Sequence, residues 1–566
     1  MNRIQRNPGH QSDKRTADPA RVDYSLGMVR PSDLAARSFP VFLGGFLALA
    51  ASAHAVATGP VFGSHMVLQR GAPIPVFGTG TNGENVTVTL GTQSKNTTVA
   101  NGAWKVNLDA MTAGGPYTMT IKGATTLTYT DVMVGEVWHC AGQSNMDTRM
   151  GYSEYPDLAD SIKVANYPKL RYITTRQPNQ TIQWQQVTPT TVGSMTAAGY
   201  FFGRDLLDHL DGVAVGIVNT SVGGTVIKTW LDPATVAATA DLSGDTEAGG
   251  MYKTWIEPVE GFGIRGSVYL QGENDASSSA LTPAYNRRLE ALIKGWRKAW
   301  NMPAMPFIVV GMCHKGALQT AAGEASNQAS VREAQRQVTD TMPHSLLSVA
   351  IDLGSTTTWH YPQKPQLGAR LGALARGWLY EQTGFVHLSP KPTDCYFRGS
   401  TVVIPWDARG GKLSVSSGTA PTGFAVAGSD DKWSWATASL KGDTVFLTTS
   451  ISKPTQVRYA WANNPVMNLV GSQGLPATPF QCAISAVSGT GAPQPDPVGG
   501  ARLRRESGIL VGTSEEDGIW TLSDPAGRTF AVHRGRSVSW EPTVRGVHAW
   551  RFEGRLWRMS GKVVVP

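Results

Sequence analysis

Between residues 132 and 386, short apolar runs alternate with longer stretches whose apolar residues recur every three or four positions. No other feature constrains this chain as much. Val132–Trp138, Val213–Val218, Ser267–Leu270, Phe307–Val310 and Leu346–Ile351 read as buried strands. The segments 196–210, 283–300, 331–340 and 366–382 read as helices. In 283–300, Tyr285, Leu289, Leu292, Ile293, Trp296 and Trp300 share one face. Strand and helix in alternation predict an α/β domain built on a parallel sheet.

The flanks have a different period. Val86 to Leu90, Trp104 to Leu108 and Tyr117 to Ile121 alternate apolar and polar residues between Gly-rich turns. They predict a small antiparallel β domain over residues 58–131. Residues 387–486 return to strands, such as Ser400–Pro405 and Thr444–Thr449. Residues 487–500 read as a Pro/Gly linker. Residues 501–566, with ten Arg, one Lys and four Trp, read as an appended β extension of unassigned role. Length agrees with this division, since 566 residues suggest three or four domains at roughly 150 residues each.

Composition removes several classes. Charged residues make up 16% of the chain against a usual ~25%, and Gly numbers 62. Wholesale disorder needs the opposite balance. The net charge of +8 invites a nucleic-acid reading, but the charge sits at the ends. Residues 1–55 carry +3, residues 501–566 carry +4, and the long middle carries only +1. A nearly neutral middle has no general attraction for phosphate, so no nucleic-acid partner is expected.

Phe39 to Ala53 is mostly small and apolar, follows Arg30 and Arg37, and precedes A-x-A sites at 53–57. That pattern predicts residues 1–57 as a leader with a secretory signal, with Met28 as an alternative start. Gly44, Gly45 and the short run argue against a stable membrane span. The mature protein is therefore expected to be exported, to the periplasm or the medium. Cys140, Cys313, Cys395 and Cys482 show no metal-like spacing. They allow up to two disulfides after export, or scattered buried thiols. Neither a metal nor a cofactor is expected.

In an open α/β sheet, ligands bind beyond the carboxyl ends of the strands. After Val132–Trp138 comes Gly142-Gln143-Ser144-Asn145-Met146. After Val213–Val218 come Gly223 and Gly224, and after Ser267–Leu270 come Gln271-Gly272-Glu273-Asn274. After Leu346–Ile351 come Asp352 and His360. A Ser hydroxyl attacks only once a base takes its proton, and His is the usual base near neutral pH. Backbone N–H groups at Ser144 and at Gly223 or Gly224, with an amide of Gln271 or Asn274, fit the donors that an oxyanion requires. Each residue alone has a plainer reading: a loop Ser, a Gly turn, a structural His. Their arrival at one sheet edge outweighs those readings. His139 and His314 are left as structural residues. Met146 breaks the G-x-S-x-G pattern, so the nucleophile elbow of α/β-hydrolases is not expected.

On these residues the chain resembles the sialate O-acetylesterase family, a branch of the serine esterases called SGNH hydrolases. The blocks that carry the likeness run in order. They are FGSHMVLQR at 62–70, VGEVWHCAGQSNM at 134–146, GYFFGRDL at 199–206 and VGIVNTSVGGTVIKTWL at 215–231. YLQGENDA at 269–276, VREAQR at 331–336, HYPQKPQLGARL at 360–371 and VRYAWANNP at 457–465 follow, the last joined by GLPATPF at 474–480. The resemblance implies an SGNH-hydrolase-like parallel sheet with helices, flanked by N-terminal and C-terminal antiparallel β domains. It implies hydrolysis of acetyl esters on sugars, sialic acids first. Ser144 then matches the nucleophile, His360 the base, Gly223 or Gly224 the second oxyanion block, and Gln271 to Asn274 the third.

Two departures stand out. Many relatives resemble Asp-Ile-His at the last block, whereas Thr357, Thr358 and Trp359 precede His360 here. Asp352 is then the expected orienter of the imidazole. Position 139 is His where relatives usually show Leu. Two alternatives follow: an acetylesterase of xylan or pectin type, and a non-catalytic carbohydrate-binding protein on a degenerate esterase scaffold.

Overall fold

The computed structural model describes residues 55–175, 182–239, 242 and 248–486, and the strand backbone within 502–565. The expected leader, apart from its last residues, and the expected linker at 487–500 lie outside the described residues.

A 17-residue strand, β1 (Thr126–Gly142), organises the molecule. Its first residues alternate in exposure and its last eleven are all buried. The change marks a move from a sheet with one wet face to a sheet covered on both. Its outer half pairs antiparallel with Gly114–Lys122, which pairs in turn with Asn85–Leu90. Its inner half is the centre of a parallel sheet with β2 (Tyr167–Thr174), β3 (Val215–Asn219), β4 (Gly266–Leu270), β5 (Phe307–Val310) and β6 (Ser345–Ser348). The order is β2-β3-β1-β4-β5-β6, with Gln185–Val187 added antiparallel at the β2 edge. The boundary expected at 131/132 falls inside β1.

The helices match the sequence pattern. In chain order they include α1 (Ser144–Asp147), α2 (Ala197–His209), α3 (Glu273–Ala276), α4 (Tyr285–Ala299), α5 (Asn327–Thr341) and α6 (Lys364–Leu379). On α4 the expected face is buried: Tyr285, Leu289, Leu292, Ile293 and Trp296. Thr196 caps α2 by accepting from the Gly199 N–H, and Ser326 caps α5 by accepting from the Ala329 N–H. α2 and α6 enclose one face of the sheet with Trp138, Leu170, Ile217 and Val268. On the other face, α4 packs into one cluster with Val86, Val88, Trp104, Met119 and Ile121 of the N-terminal strands. The N-terminal strands and the parallel sheet thus share a continuous core.

Residues 391–486 form three mainly antiparallel sheets, of six, two and four strands, around Ile404, Trp406, Val426, Leu447, Tyr459 and Phe480. Val349 and Ile351, just past β6, enter the same cluster. The strands expected at 400–405 and 444–449 appear as Thr401–Asp407 and Thr444–Thr448, paired antiparallel. Within 502–565, five strands pair antiparallel. The side chains of the four Trp there lie outside the described residues. All four cysteines are free thiols, with Cys140, Cys313 and Cys395 buried. Among the described residues, no helix is long and apolar enough to cross a membrane.

Candidate active site

The chain runs from β1 leftward to β2 and β3, then to β4 on the other side of β1. The carboxyl end of β1 is therefore the switch point of the sheet, where a crevice opens. Gly142 ends β1 at φ +134. A Cβ there would lie 1.9 Å from the Leu270 carbonyl oxygen, so only glycine allows the turn that presents Ser144. Ser144 opens α1 and lines a cleft of about 760 Å³.

His360 lines the same cleft, as do Gly223, Gly224 and Asn274. Gly223 backs the serine: a Cβ built on it would sit 3.5 Å from the Ser144 Cβ. Its N–H reaches Asp147 Oδ2 at 3.4 Å, a long bond at the cleft wall. Gly224 adopts φ +75 and accepts a hydrogen bond at its carbonyl from the Asn274 side chain. The Gly pair and the third block are thereby tied together.

Two expected site residues take other places. Gln271 is 1% exposed and does not line the cleft. Its Nε2 donates to Gln143 Oε1 (3.1 Å), the Thr225 carbonyl (3.2 Å) and Asp275 Oδ2 (2.6 Å). It braces the floor rather than facing a ligand. Gln143 Oε1 also accepts from the N–H groups of Gly272 and Asn274, both at 3.3 Å. Asp352 is held by Arg370, one guanidinium nitrogen to each carboxylate oxygen at 2.8 Å. The fork geometry of that pair turns both oxygens to Arg370, and among the described residues no hydrogen bond joins Asp352 to His360. Glu154 takes that position, with Oε2 3.2 Å from His360 Nδ1. No spacing rule marks Glu154, which lies 206 positions from His360 and meets it only in the fold.

Beneath Ser144 lies a buried polar chain that sequence reading passes over. Asn145 Nδ2 donates to Glu273 Oε1 (2.6 Å) and to the Trp359 carbonyl (3.0 Å). Its Oδ1 accepts from Lys364 Nζ at 2.7 Å. One amide joins the serine helix, the third block and the histidine loop. Lys364 is fully buried, with its ammonium 3.7 Å from the centre of the Tyr361 ring. Burial pushes the Lys364 amine down to about 7, and burial raises the Glu273 carboxyl. The available signals were positional: Asn145 follows the serine and Lys364 lies four positions past His360.

The lysine gives a pH-dependent expectation. Its folded value is depressed from 10.5 to about 7, so the unfolded chain binds more protons across that window. The cost is complete below the folded value and disappears as pH climbs to the unfolded one. Stability should rise by about 2 kcal/mol from this group between pH 7 and 9. Urea midpoints at the two pH values test it, and Lys364→Met should lack the rise.

His139, fully buried, bonds Ser267 Oγ (3.1 Å) and Thr220 Oγ1 (2.8 Å), and burial lowers it to about 3. His314 Nδ1 meets the Ile351 carbonyl at 2.7 Å. Both act within the fold. Among the described residues, no group of three His, Cys, Asp or Glu is placed to hold a metal ion.

A carbohydrate acetylesterase from Xanthomonas citri has the same architecture. It is 31% identical, with a TM-score of 0.69, over 75% of this chain and 99% of that one. The human sialate O-acetylesterase is 26% identical over 383 residues, spanning 58% of this chain and 72% of the relative. The rat sialate O-acetylesterase is 25% identical over 527 residues, spanning 75% and 93%. The protein is a carboxylic ester hydrolase. The profile described as "Carbohydrate esterase, sialic acid-specific acetylesterase" matches residues 134–375, from β1 into α6, and the chain belongs to that family.

Proposed function

We propose that this chain is an exported serine carbohydrate esterase that removes O-acetyl groups from sugars, sialic acids first, through an acetyl-enzyme on Ser144. The observation that carries the reading is the meeting of Ser144, Gly223 and His360 on the wall of one cleft at the sheet's switch point. His360 takes the Ser144 hydroxyl proton as the oxygen attacks the acetyl carbonyl. The N–H of Ser144, and that of Gly223 once it exchanges its long bond to Asp147 for the substrate oxygen, stabilise the oxyanion. Collapse expels the sugar hydroxyl, which receives the proton from His360. Water, deprotonated by His360, then attacks the acetyl ester, and acetate leaves as Ser144 regains its proton. Glu154, accepting from the Nδ1–H, orients the ring and leaves Nε2 for this traffic. Export rests on the basic flank, apolar run and A-x-A sites at the start of the chain.

Release of acetate from O-acetylated sialic acid, measured beside acetylated xylan and pectin, tests the substrate. Faster release from sialic acid is the expected result. Faster release from a polysaccharide would move the assignment to an acetylesterase of xylan or pectin type.

The orienter has its own expected result. Glu154 is half exposed, so its ion pair with His360 is screened by solvent. Glu154→Gln should lower kcat/KM only about threefold to tenfold, far less than loss of a buried triad acid. A loss beyond a hundredfold would contradict this screened role.

A further inference from the structure

Beside the main cleft lies a second one of about 450 Å³. Trp359 lines both, and the neighbours Ser277 and Ala276 line one each, so the two clefts share a wall. The second cleft is lined by Lys315, Ser326, Asn327, Gln328 and Asn463, and by no acidic residue. The Lys315 ammonium sits 5.0 Å from the centre of the Trp359 ring. Among the described residues, no carboxylate pairs with Lys315. Gln328, 6% exposed, donates from Nε2 to the Lys315 carbonyl and so ties α5 to the backbone of that lysine. Ser326 and Asn327 open the 15-residue α5, whose first turn adds partial positive charge. The nearest acidic side chain in sequence, Glu324, is engaged by the N–H groups of Thr320 and Ala321.

We propose that this second cleft is a subsite for the carboxylate of an acidic sugar, with Lys315 as its cation. It rests on the reading of Ser144 as the nucleophile of a sugar acetylesterase and specifies which sugars are preferred. A sugar presenting its acetyl ester to Ser144 extends past Trp359, and a carboxylate on it, or on the next residue of a chain, meets Lys315. Asn327 also borders a third cleft of about 370 Å³ that Trp461 lines, giving room for a further residue. Two sources share this chemistry: the carboxylate of sialic acid itself, and a uronic acid within an acetylated polysaccharide.

The test compares kcat/KM for O-acetylated sialic acid and for acetylated oligogalacturonide, each against its methyl ester. The proposal expects the full-length protein to prefer the free acid in at least one pair. Lys315→Ala should cut that preference about tenfold, the usual scale for one charge-assisted hydrogen bond, and Lys315→Arg should restore most of it. Raising the salt should erode it in the wild type. The pair that responds identifies the source. Equal rates for acid and ester, or a preference untouched by Lys315→Ala, would overturn the subsite. So would a preference that falls instead in Arg149→Ala, because Arg149 lines the main cleft. Calorimetric binding of the deacetylated acid sugars to the Ser144→Ala protein reads the subsite without turnover. A failure of the serine chemistry is thereby distinguished from a failure of Lys315.

Discussion

Ser144→Ala should lower kcat on 4-nitrophenyl acetate and on acetylated sugars by at least about a thousandfold, and leave the fold intact. The magnitude follows from the role. Without the hydroxyl no acetyl-enzyme forms, and the remaining donors supply only the residual catalysis of an empty oxyanion site. The intact fold follows from the position. Ser144 is half-buried on the cleft wall, and among the described residues its hydroxyl makes no hydrogen bond that would hold the surrounding loops. Steady-state rates and thermal melts of the two proteins check both halves. Undiminished turnover in the variant would remove Ser144 from the mechanism, and a lowered melt would show that rate loss reported damage.

Asn145→Leu should be the costliest single substitution near the site, at about 3 kcal/mol of stability. Leucine is close in size, so the loss is one of partners rather than volume. Lys364 Nζ would lose the Asn145 oxygen, and Glu273 Oε1 the Asn145 amide. Both groups are buried, and a buried charge stripped of its partner carries its full desolvation penalty. The Trp359 carbonyl would lose its donor as well, freeing the loop that carries His360. Activity should therefore fall along with stability. Urea unfolding and kcat, measured together, check this; a change below about 0.5 kcal/mol would contradict the buried chain.

The contrast between Ser144 and Glu154 explains what was legible in the sequence. Strand runs such as Val215–Asn219 and the apolar face of α4 announce themselves locally, because burial on a regular element imposes a period. Ser144, Gly223, Asn274 and His360 are legible because each follows a strand, and parallel strands deliver their carboxyl ends to one edge. Asp352 satisfies the same rule, yet Arg370 on α6 holds it. A strand-end rule locates an edge, not the partner of each side chain. Glu154 belongs to the loop after α1, and only the tertiary path brings it to His360. Gln271 was legible as part of a site block, but the bend at Gly272, φ +145, sends its neighbour Asn274 to the cleft and leaves Gln271 in the floor.

The length of β1 has a consequence for how this protein can be cut and inherited. One uninterrupted strand carries ladder pairs of the N-terminal sheet at Thr126–Val134 and those of the central parallel sheet at Glu136–Gly142. A recombination breakpoint at residue 131 would sever hydrogen-bond ladders on both sides at once. The N-terminal strands are therefore not a detachable module in the evolutionary sense. They should be gained, lost and exchanged only together with the strand that ends at the serine, and hydrogen exchange along β1 should report one cooperative unit from Val132 to Gly142.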